Sequence, residues 1–222
     1  MKKFIFIICA IALSLFIKSS SAQNINWRNL PDEQARFVNL NVGWDFGSTI
    51  GIGYGTKLKT KLPVVLNTEF SLPLGKNLLD DFKVKVGGQT ELFRLGNFSG
   101  TLKIAGVFRR YENNFTRMLN FGSEFSGEIG YYKQGWYAAG EFGFDKAIAT
   151  HIKSSPETKE YMPTSLNGWY VPTGGNFFYG IQTGVSVKKN DFSVRLGKLK
   201  TQDFKSSPMI PFYLQIGVKR RF

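Results

Sequence analysis

The feature that most constrains this chain is an alternation of apolar and polar residues that keeps returning. In FVNLNVGWDFG, Val38, Leu40, Val42, Trp44 and Phe46 share one face, and Asn39, Asn41, Gly43, Asp45 and Gly47 share the other. A period of two is that of an extended strand, whose side chains point to opposite faces in turn. The pattern returns about ten times, always near the length a tilted strand needs to cross a bilayer. Ile50, Ile52 and Tyr54 oppose Gly51, Gly53 and Gly55, and Leu66, Thr68, Phe70 and Leu72 oppose Asn67, Glu69 and Ser71. Phe82, Val84, Val86 and Leu92 then oppose Lys83, Lys85, Gln89 and Glu91, while Phe98, Leu102, Ile104 and Phe108 oppose Ser99, Thr101, Lys103 and Arg109. Further runs start at Leu119, Trp136, Tyr179 and Phe192, and the last is PFYLQIGVKRRF. No convincing run at helical spacing competes with them.

Alternation alone does not say which face is buried. A soluble lipocalin-like barrel would be apolar inside, and a membrane barrel apolar outside. Volume decides between them. The chain carries 21 Phe, 9 Tyr and 4 Trp, with 24 Gly. Ten strands at about 4.8 Å spacing and about 40° tilt give a wall only about 20 Å across. That interior cannot hold so many large side chains, so the expected fold is all-β, a single closed antiparallel transmembrane β-barrel of about 10 strands. A mean hydropathy of −0.16 does not oppose this, since every second residue of such a wall is polar.

The front end supplies an address. Lys2 and Lys3 precede the apolar run FIFIICAIALSLFI, and Ser20 and Ala22 occupy the −3 and −1 positions of a cleavage site. This is the form of a secretory signal peptide over residues 1–22, too short to span a bilayer comfortably. Cleavage after Ala22 removes 22 of the 222 residues and leaves 200; losing Lys2, Lys3 and Lys18 takes the formal charge from +13 to +10. The one cysteine, Cys9, lies in the removed segment. Residues 23–36 read as a short periplasmic N-terminal segment and 37–222 as the barrel.

Connection lengths alternate as well. Residues 59–61, Gly96-Asn97, 133–135 and 188–190 are tight turns, whereas 73–81, 110–118, 150–174 and 201–209 read as longer loops. Short turns on the periplasmic side and long loops outside are the barrel arrangement, with the longest extracellular loop near 150–174. The short connection near residues 47–49 fits less well. Aromatics gather at strand ends, Trp44, Phe46, Phe70, Phe108, Phe144 and Tyr179 at one and Phe98, Tyr131, Trp136, Phe192 and Phe222 at the other. Those are the expected interfacial girdles.

The final strand ends on Phe222 with Val218, Ile216 and Leu214 at alternate positions before it. In this the chain resembles the outer-membrane β-barrel proteins of Gram-negative bacteria. The segments GEFGFDKAIATHIK, GWYVPTGGNFFYGIQ and IPFYLQIGVKRRF look most like outer-membrane barrels of the Bacteroidota type. The resemblance implies fold and outer-membrane location. It also implies that the barrel-assembly machinery reads Phe222, Val218, Ile216 and Leu214 as a signal during biogenesis. No settled activity comes with it.

Candidate chemistry is sparse. Gly51, Gly53 and Gly55 lack the strand-then-helix context of a phosphate loop and read as small residues lining a crowded lumen. A single histidine excludes multi-histidine metal sites, and no cofactor is expected. Strand parity points Glu141, Asp145 and His151 inward, with Asp145 and His151 about 20 Å apart. A partner for His151 from Ser154, Ser155 or Glu157 stays open. Outer-membrane hydrolases of lipid A or surface peptides place His beside such groups, which makes an enzyme built on His151 the alternative reading.

The inward charges say more. Asp45, Glu69, Glu91, Glu124, Glu128, Glu141 and Asp145 face Lys83, Lys85, Lys103, Arg109, Arg195, Lys219 and Arg221. They form either a narrow small-solute pore or, more simply, a salt-bridged core that satisfies buried charge. The function expected is therefore an outer-membrane barrel with a largely occluded polar lumen, acting structurally, as a partner subunit or as a narrow pore. Rim cations Arg109, Arg110, Arg117, Lys153 and Lys159 suit lipopolysaccharide phosphates or merely a solvated rim. The 150–174 loop, with Trp169 and Tyr170, could hold a protein partner. Nothing resembles a nucleic-acid-reading module.

Overall fold

The computed structural model describes residues 25–30, 36–45, 47–74, 80–162, 165–172 and 174–222. The signal segment 1–22, the girdle residue Phe46 and Thr173 of the long loop lie outside the described residues. Eleven strands run in order: β1 (Arg36–Trp44), β2 (Ser48–Lys57), β3 (Val64–Pro73), β4 (Phe82–Leu95), β5 (Phe98–Glu112), β6 (Thr116–Tyr132), β7 (Trp136–Ser154), β8 (Gly168–Tyr170), β9 (Gly175–Val187), β10 (Asn190–Thr201) and β11 (Phe212–Arg221). Among the described residues, one helix, α1 (Pro156–Tyr161), lies between β7 and β8, and one 3₁₀ turn (Trp27–Asn29) precedes β1.

Ten of these strands close into an antiparallel barrel. Each pairs with its neighbours in sequence, with β7 pairing β9, and the wall closes where β1 meets β11 from Phe37↔Arg221 to Trp44↔Leu214. β8 is not part of the wall; it adds only Thr150↔Tyr170 to Ile152↔Gly168 beyond the rim. Closure leaves the ten-strand wall without the free edges that an open aromatic-rich sheet would expose.

The two faces of the wall are inverted relative to a water-soluble protein. Outward positions are large and apolar, as at Ile129, 65 % exposed, whereas inward positions are polar and sealed, as at Asn39, 0 % exposed. Val42, Ile52, Val86, Ile181 and Ile216 follow the first pattern, and Thr101, Glu128, Gln182 and Gln215 the second.

Besides a register shift at Leu92 of β4, two irregularities shape the wall. Between β6 and β7 the register jumps so that Phe121 faces Ala149 and Gly122 faces Ala147, leaving Ile148 as an extra residue. A bulge of this kind reverses the parity of everything beyond it. The second irregularity is height: β1 to β3 have 9, 10 and 10 residues, whereas β5, β6 and β7 have 15, 17 and 19. The expected loop over 110–118 is therefore shorter than the sequence suggests. β5 and β6 simply continue, and the remaining turn is tied by Asn113, whose Oδ1 accepts from the N–H groups of Phe115 and Thr116 at 2.9 and 2.8 Å. The turn at Gly96-Asn97 falls where the sequence places it, with Gly96 at φ +59°, a conformation only glycine adopts freely.

Candidate functional site

The inward residues fill the lumen in layers. At the end that carries the short turns, the chain's own N-terminal segment is docked inside the mouth. Asn26 begins the 3₁₀ turn, accepting from the Arg28 N–H at 3.2 Å. Ile25, Trp27 and Leu30 are buried together with Phe37 of β1 and Val65 of β3. The Trp27 indole N–H donates to Thr101 Oγ1 of β5 at 3.0 Å, and Asn26 Nδ2 donates to the Lys133 carbonyl of the β6–β7 turn at 2.8 Å. Lys57 Nζ reaches the Leu30 carbonyl at 3.3 Å. From the last strand, Arg221 donates to the carbonyls of Asn29 and Lys188 and pairs with Asp191. Six residues thus brace much of the circumference. Above them Tyr132 and Tyr137 stack at 5.6 Å, both fully enclosed.

The middle layer is a lattice of paired charges. Arg195 Nε donates to Glu141 Oε1 at 2.6 Å, Tyr213 Oη donates to the same oxygen at 2.6 Å, and Arg195 Nη1 reaches Gln215 at 3.2 Å. The guanidinium also lies 4.5 Å from the Tyr213 ring centre. Lys85 Nζ donates to Glu124 at 2.6 Å, Lys103 pairs with Glu128, and Asn41 and Ser71 each donate to Glu69 at 3.2 Å. Nearer the short-turn end, Glu91 accepts from Ser99 at 2.6 Å and pairs with Arg94. Lys219 Nζ stands 5.2 Å from the Phe37 ring centre. What space remains among Glu69, Lys85, Lys103, Glu124 and Arg195 is a cavity of about 60 Å³. That holds a few waters and no solute.

Glycines make this filling possible. A Cβ at Gly55 would meet the Phe37 ring at 2.1 Å, and one at Gly197 would meet the Tyr213 hydroxyl at 2.2 Å. The aromatic rings lie flat on bare backbone there. Gly51 plays the same part under Asn41, so these positions are packing sites, as the sequence indicates.

At the opposite end, the lumen opens. Asp45 in the β1–β2 turn pairs with Lys83, and Arg109 pairs with Asp145 and donates to Asn120 Oδ1 at 3.0 Å. Burial works against the charge of Asp45, but Lys83 and Lys85 outweigh it and hold the carboxyl well below the usual carboxylate range. Above these pairs lies a cavity of about 750 Å³, walled partly by the β10–β11 loop.

No protein-family model and no curated protein matches this chain. Its chemistry therefore has to be taken from the geometry.

All twelve acidic and basic lumen candidates, Asp45, Glu69, Lys85, Glu91, Lys103, Arg109, Glu124, Glu128, Glu141, Asp145, Arg195 and Lys219, lie inside the wall. Lys83 and Arg221 join them. Arg109 is thus a lumen residue and not a rim cation. His151 is the correction. Beyond the Ile148 bulge it faces Leu119 on the outer surface, where its ring packs 5.0 Å from Trp169, so it does not share the lumen with Glu141 and Asp145. Its suggested partners are engaged elsewhere: Ser154 Oγ donates to the Leu166 carbonyl at 2.9 Å, and Ser155 Oγ accepts from Thr158 N–H at 3.1 Å to cap α1. Glu157 lies in the first turn of α1. Among the described residues, no three His, Cys, Asp or Glu side chains are grouped to hold a metal ion.

Leu214, Ile216 and Val218 project outward from β11 opposite Trp44, Val42 and Leu40. Phe222 lies just past the strand, its N–H donating to the Arg36 carbonyl at 3.0 Å and its ring 5.9 Å from the Arg220 guanidinium. What sequence reasoning missed is the docked N-terminal segment. Its signal was present in NINWRNL, where Ile25, Trp27 and Leu30 are too apolar for a solvated linker.

Proposed function

We propose that this chain is an integral outer-membrane barrel whose lumen is closed, serving as a membrane anchor or partner subunit and not as an open pore. The observation that supports it best is the inverted wall, apolar outside and charged inside, bordered by aromatic side chains at both ends. Along one rim Phe70, Phe82, Phe108, Phe121 and Trp169 form a chain of ring contacts at 4.8 to 6.1 Å. At the other, Phe98, Tyr131 and Trp136 do the same at 5.2 and 5.5 Å. In water each large outward side chain would forgo about 1.5–3 kcal/mol of burial, a sum no marginally stable protein tolerates. In a bilayer the same surface is solvated by acyl chains. Strands of 9 and 10 residues, at about 3.3 Å each and tilted about 40°, match an apolar band about 25 Å tall.

The resemblance of the C-terminal strand to outer-membrane barrels fits this reading, and export by the 1–22 segment and recognition by the assembly machinery are parts of the same proposal. In this orientation the short turns and both chain ends are periplasmic. Outward-facing Arg117 and Lys153, directly opposite one another on the tall side of the wall, then lie at the level of lipopolysaccharide phosphates. The long β7–β9 connection is the surface available to a protein partner. A hydrolase centred on His151 has no support from the geometry: the imidazole packs on Trp169, and the Ser154 and Ser155 hydroxyls bond elsewhere.

The test is fractionation followed by planar-bilayer recording. The mature chain should partition with outer membranes, migrate as a heat-modifiable band, and give no unitary conductance. Recovery as a soluble monomer without detergent overturns the membrane reading; steady single-channel steps overturn the closed lumen.

A further inference from the structure

The open end of the lumen is a one-ended cup. Its floor is the Lys83–Asp45 and Arg109–Asp145 pairs, below which the middle lattice leaves room only for a few waters. Its sides carry polar groups of Tyr111, Asn120, Asn176, Thr201, Gln202, Asp203 and Ser206, and an apolar strip of Leu199, Pro208, Ile210 and the exposed Met209 from β10 and the loop after it. About 750 Å³ is within the usual range for a small-molecule site and far more than a structural void needs.

The floor carboxylates are more open than those beneath them. The side chains of Asp45 and Asp145 keep 24 % and 22 % of their surface open, whereas those of Glu124, Glu141 and Glu128 keep 14 %, 2 % and 0 %. Lys83 and Arg109 keep 8 % and 10 %, and both line the cup. The floor carries two cations and two carboxylates, so a ligand of one sign gains on one pair member what it loses on the other. A ligand bearing both signs pairs with both. Lys83 and Arg109 are cross-strand neighbours, which puts the positive half of the floor together, with Asp45 and Asp145 supplied by other elements.

We infer that this cup binds a small zwitterion with an apolar side chain, a free amino acid or short peptide. Its ammonium is taken by Asp45 and Asp145, its carboxylate by Lys83 and Arg109, and its side chain by the Leu199, Pro208, Met209 and Ile210 strip. Because the floor is closed below, the cup captures its ligand and does not pass it through.

Methionine supplies the readout. After removal of the signal segment three remain, Met118, Met162 and Met209, and only Met209 lines the cup. In the folded mature chain with carbon-13-labelled methionine methyls, leucyl-alanine should shift the Met209 signal saturably and leave Met118 and Met162 in place. N-acetyl-leucyl-alaninamide, which lacks both charges, should bind about tenfold more weakly or worse. Glycylglycine, which keeps the charges and lacks the side chains, should also be weaker by about tenfold. Asp145→Asn should weaken leucyl-alanine several-fold; if that variant fails to fold, the three-ligand comparison on the unaltered chain still decides. Equal binding of the capped peptide, or no Met209 shift at ~50 mM leucyl-alanine, a weaker affinity than any useful site has, overturns the inference. The measurement is the same whether the barrel comes from membranes or from solution, so its failure is distinct from failure of the membrane reading.

Discussion

The two ends of the lumen are built on opposite plans. At the short-turn end, six residues of the chain's own N-terminal segment fill the mouth with Ile25, Trp27 and Leu30 and hydrogen-bond to β5, to the β6–β7 turn and to the last strand. At the other, an ion-paired floor is left open beneath loops that contribute Pro208, Met209 and Ile210. The wall of this barrel supplies little apolar core of its own, because most of its large apolar side chains face outward. The inside must be stabilised by something else, and here one end uses packing and the other uses charge. The difference teaches where tolerance lies: the packed end should resist change and the charged end should accept it.

The largest effect should come from removing the packed end. Deleting residues 25–30 should lower unfolding stability by about 3–5 kcal/mol, the range for losing a buried Trp, read as the urea midpoint of the detergent-refolded barrel. Exchanging 206–210 for a Gly/Ser segment of equal length should cost about 0.5 kcal/mol or less. If the two changes cost the same, the contrast between the ends is wrong.

The middle lattice comes next. Arg195→Met leaves Glu141 buried without its cation and should cost about 3 kcal/mol. Adding Glu141→Gln should recover much of that loss. A double variant as unstable as the single one would show that Arg195 acts through packing on Tyr213 and not through charge.

Phe222 should matter less to the finished barrel, since an interfacial aromatic contributes about 2 kcal/mol at most. Its deletion should instead lower outer-membrane levels while the same chain still refolds in detergent. Wild-type levels in the membrane would remove the assembly-signal role.

At the charged end, acid is the probe. A carboxyl whose folded pKa is depressed contributes stability that is complete above its unfolded value, about 4, and is lost as pH falls through the lower folded value. For Asp45 the loss should therefore appear only below about pH 4 and amount to about 1 kcal/mol, given its partial exposure. Asp45→Asn should abolish that part of the acid response. The smallest effect belongs to His151→Ala, expected to change stability by about 0.5 kcal/mol and to leave the lipid A mass profile untouched.

Much of this architecture is written in the alternation. Residue parity alone separates Asn39 and Asn41 from Leu40 and Val42, and assigns the paired charges of the lumen to one face. Glycine at 96 marks a hairpin because the turn requires a positive φ. Parity fails at His151 for a definite reason. One inserted residue, Ile148, is invisible in a run of small and apolar residues, yet it turns the imidazole from lumen to outer surface. The docked segment escapes for a different one. A 3₁₀ turn of three residues has no period to detect, and the Trp27 and Asn26 side chains bond to Thr101 and Lys133, more than seventy positions away. The extent of β5 and β6 is equally hidden, since strands that outgrow the apolar band carry no change of pattern where they leave it.

The meeting of β1 with β11 has a further consequence. Phe222 N–H bonds to the Arg36 carbonyl, and Arg221 bonds to Asn29, so the start of β1 and the last residues lie side by side at one mouth. The wall is in effect a ring, and its numbering is arbitrary. A circular permutant with the old ends joined by a short linker and new ends cut at Gly96-Asn97 would keep each strand beside the neighbours it has now. It would lose only the aromatic terminus, so whether that terminus serves as an address could be asked apart from the architecture in a single molecule.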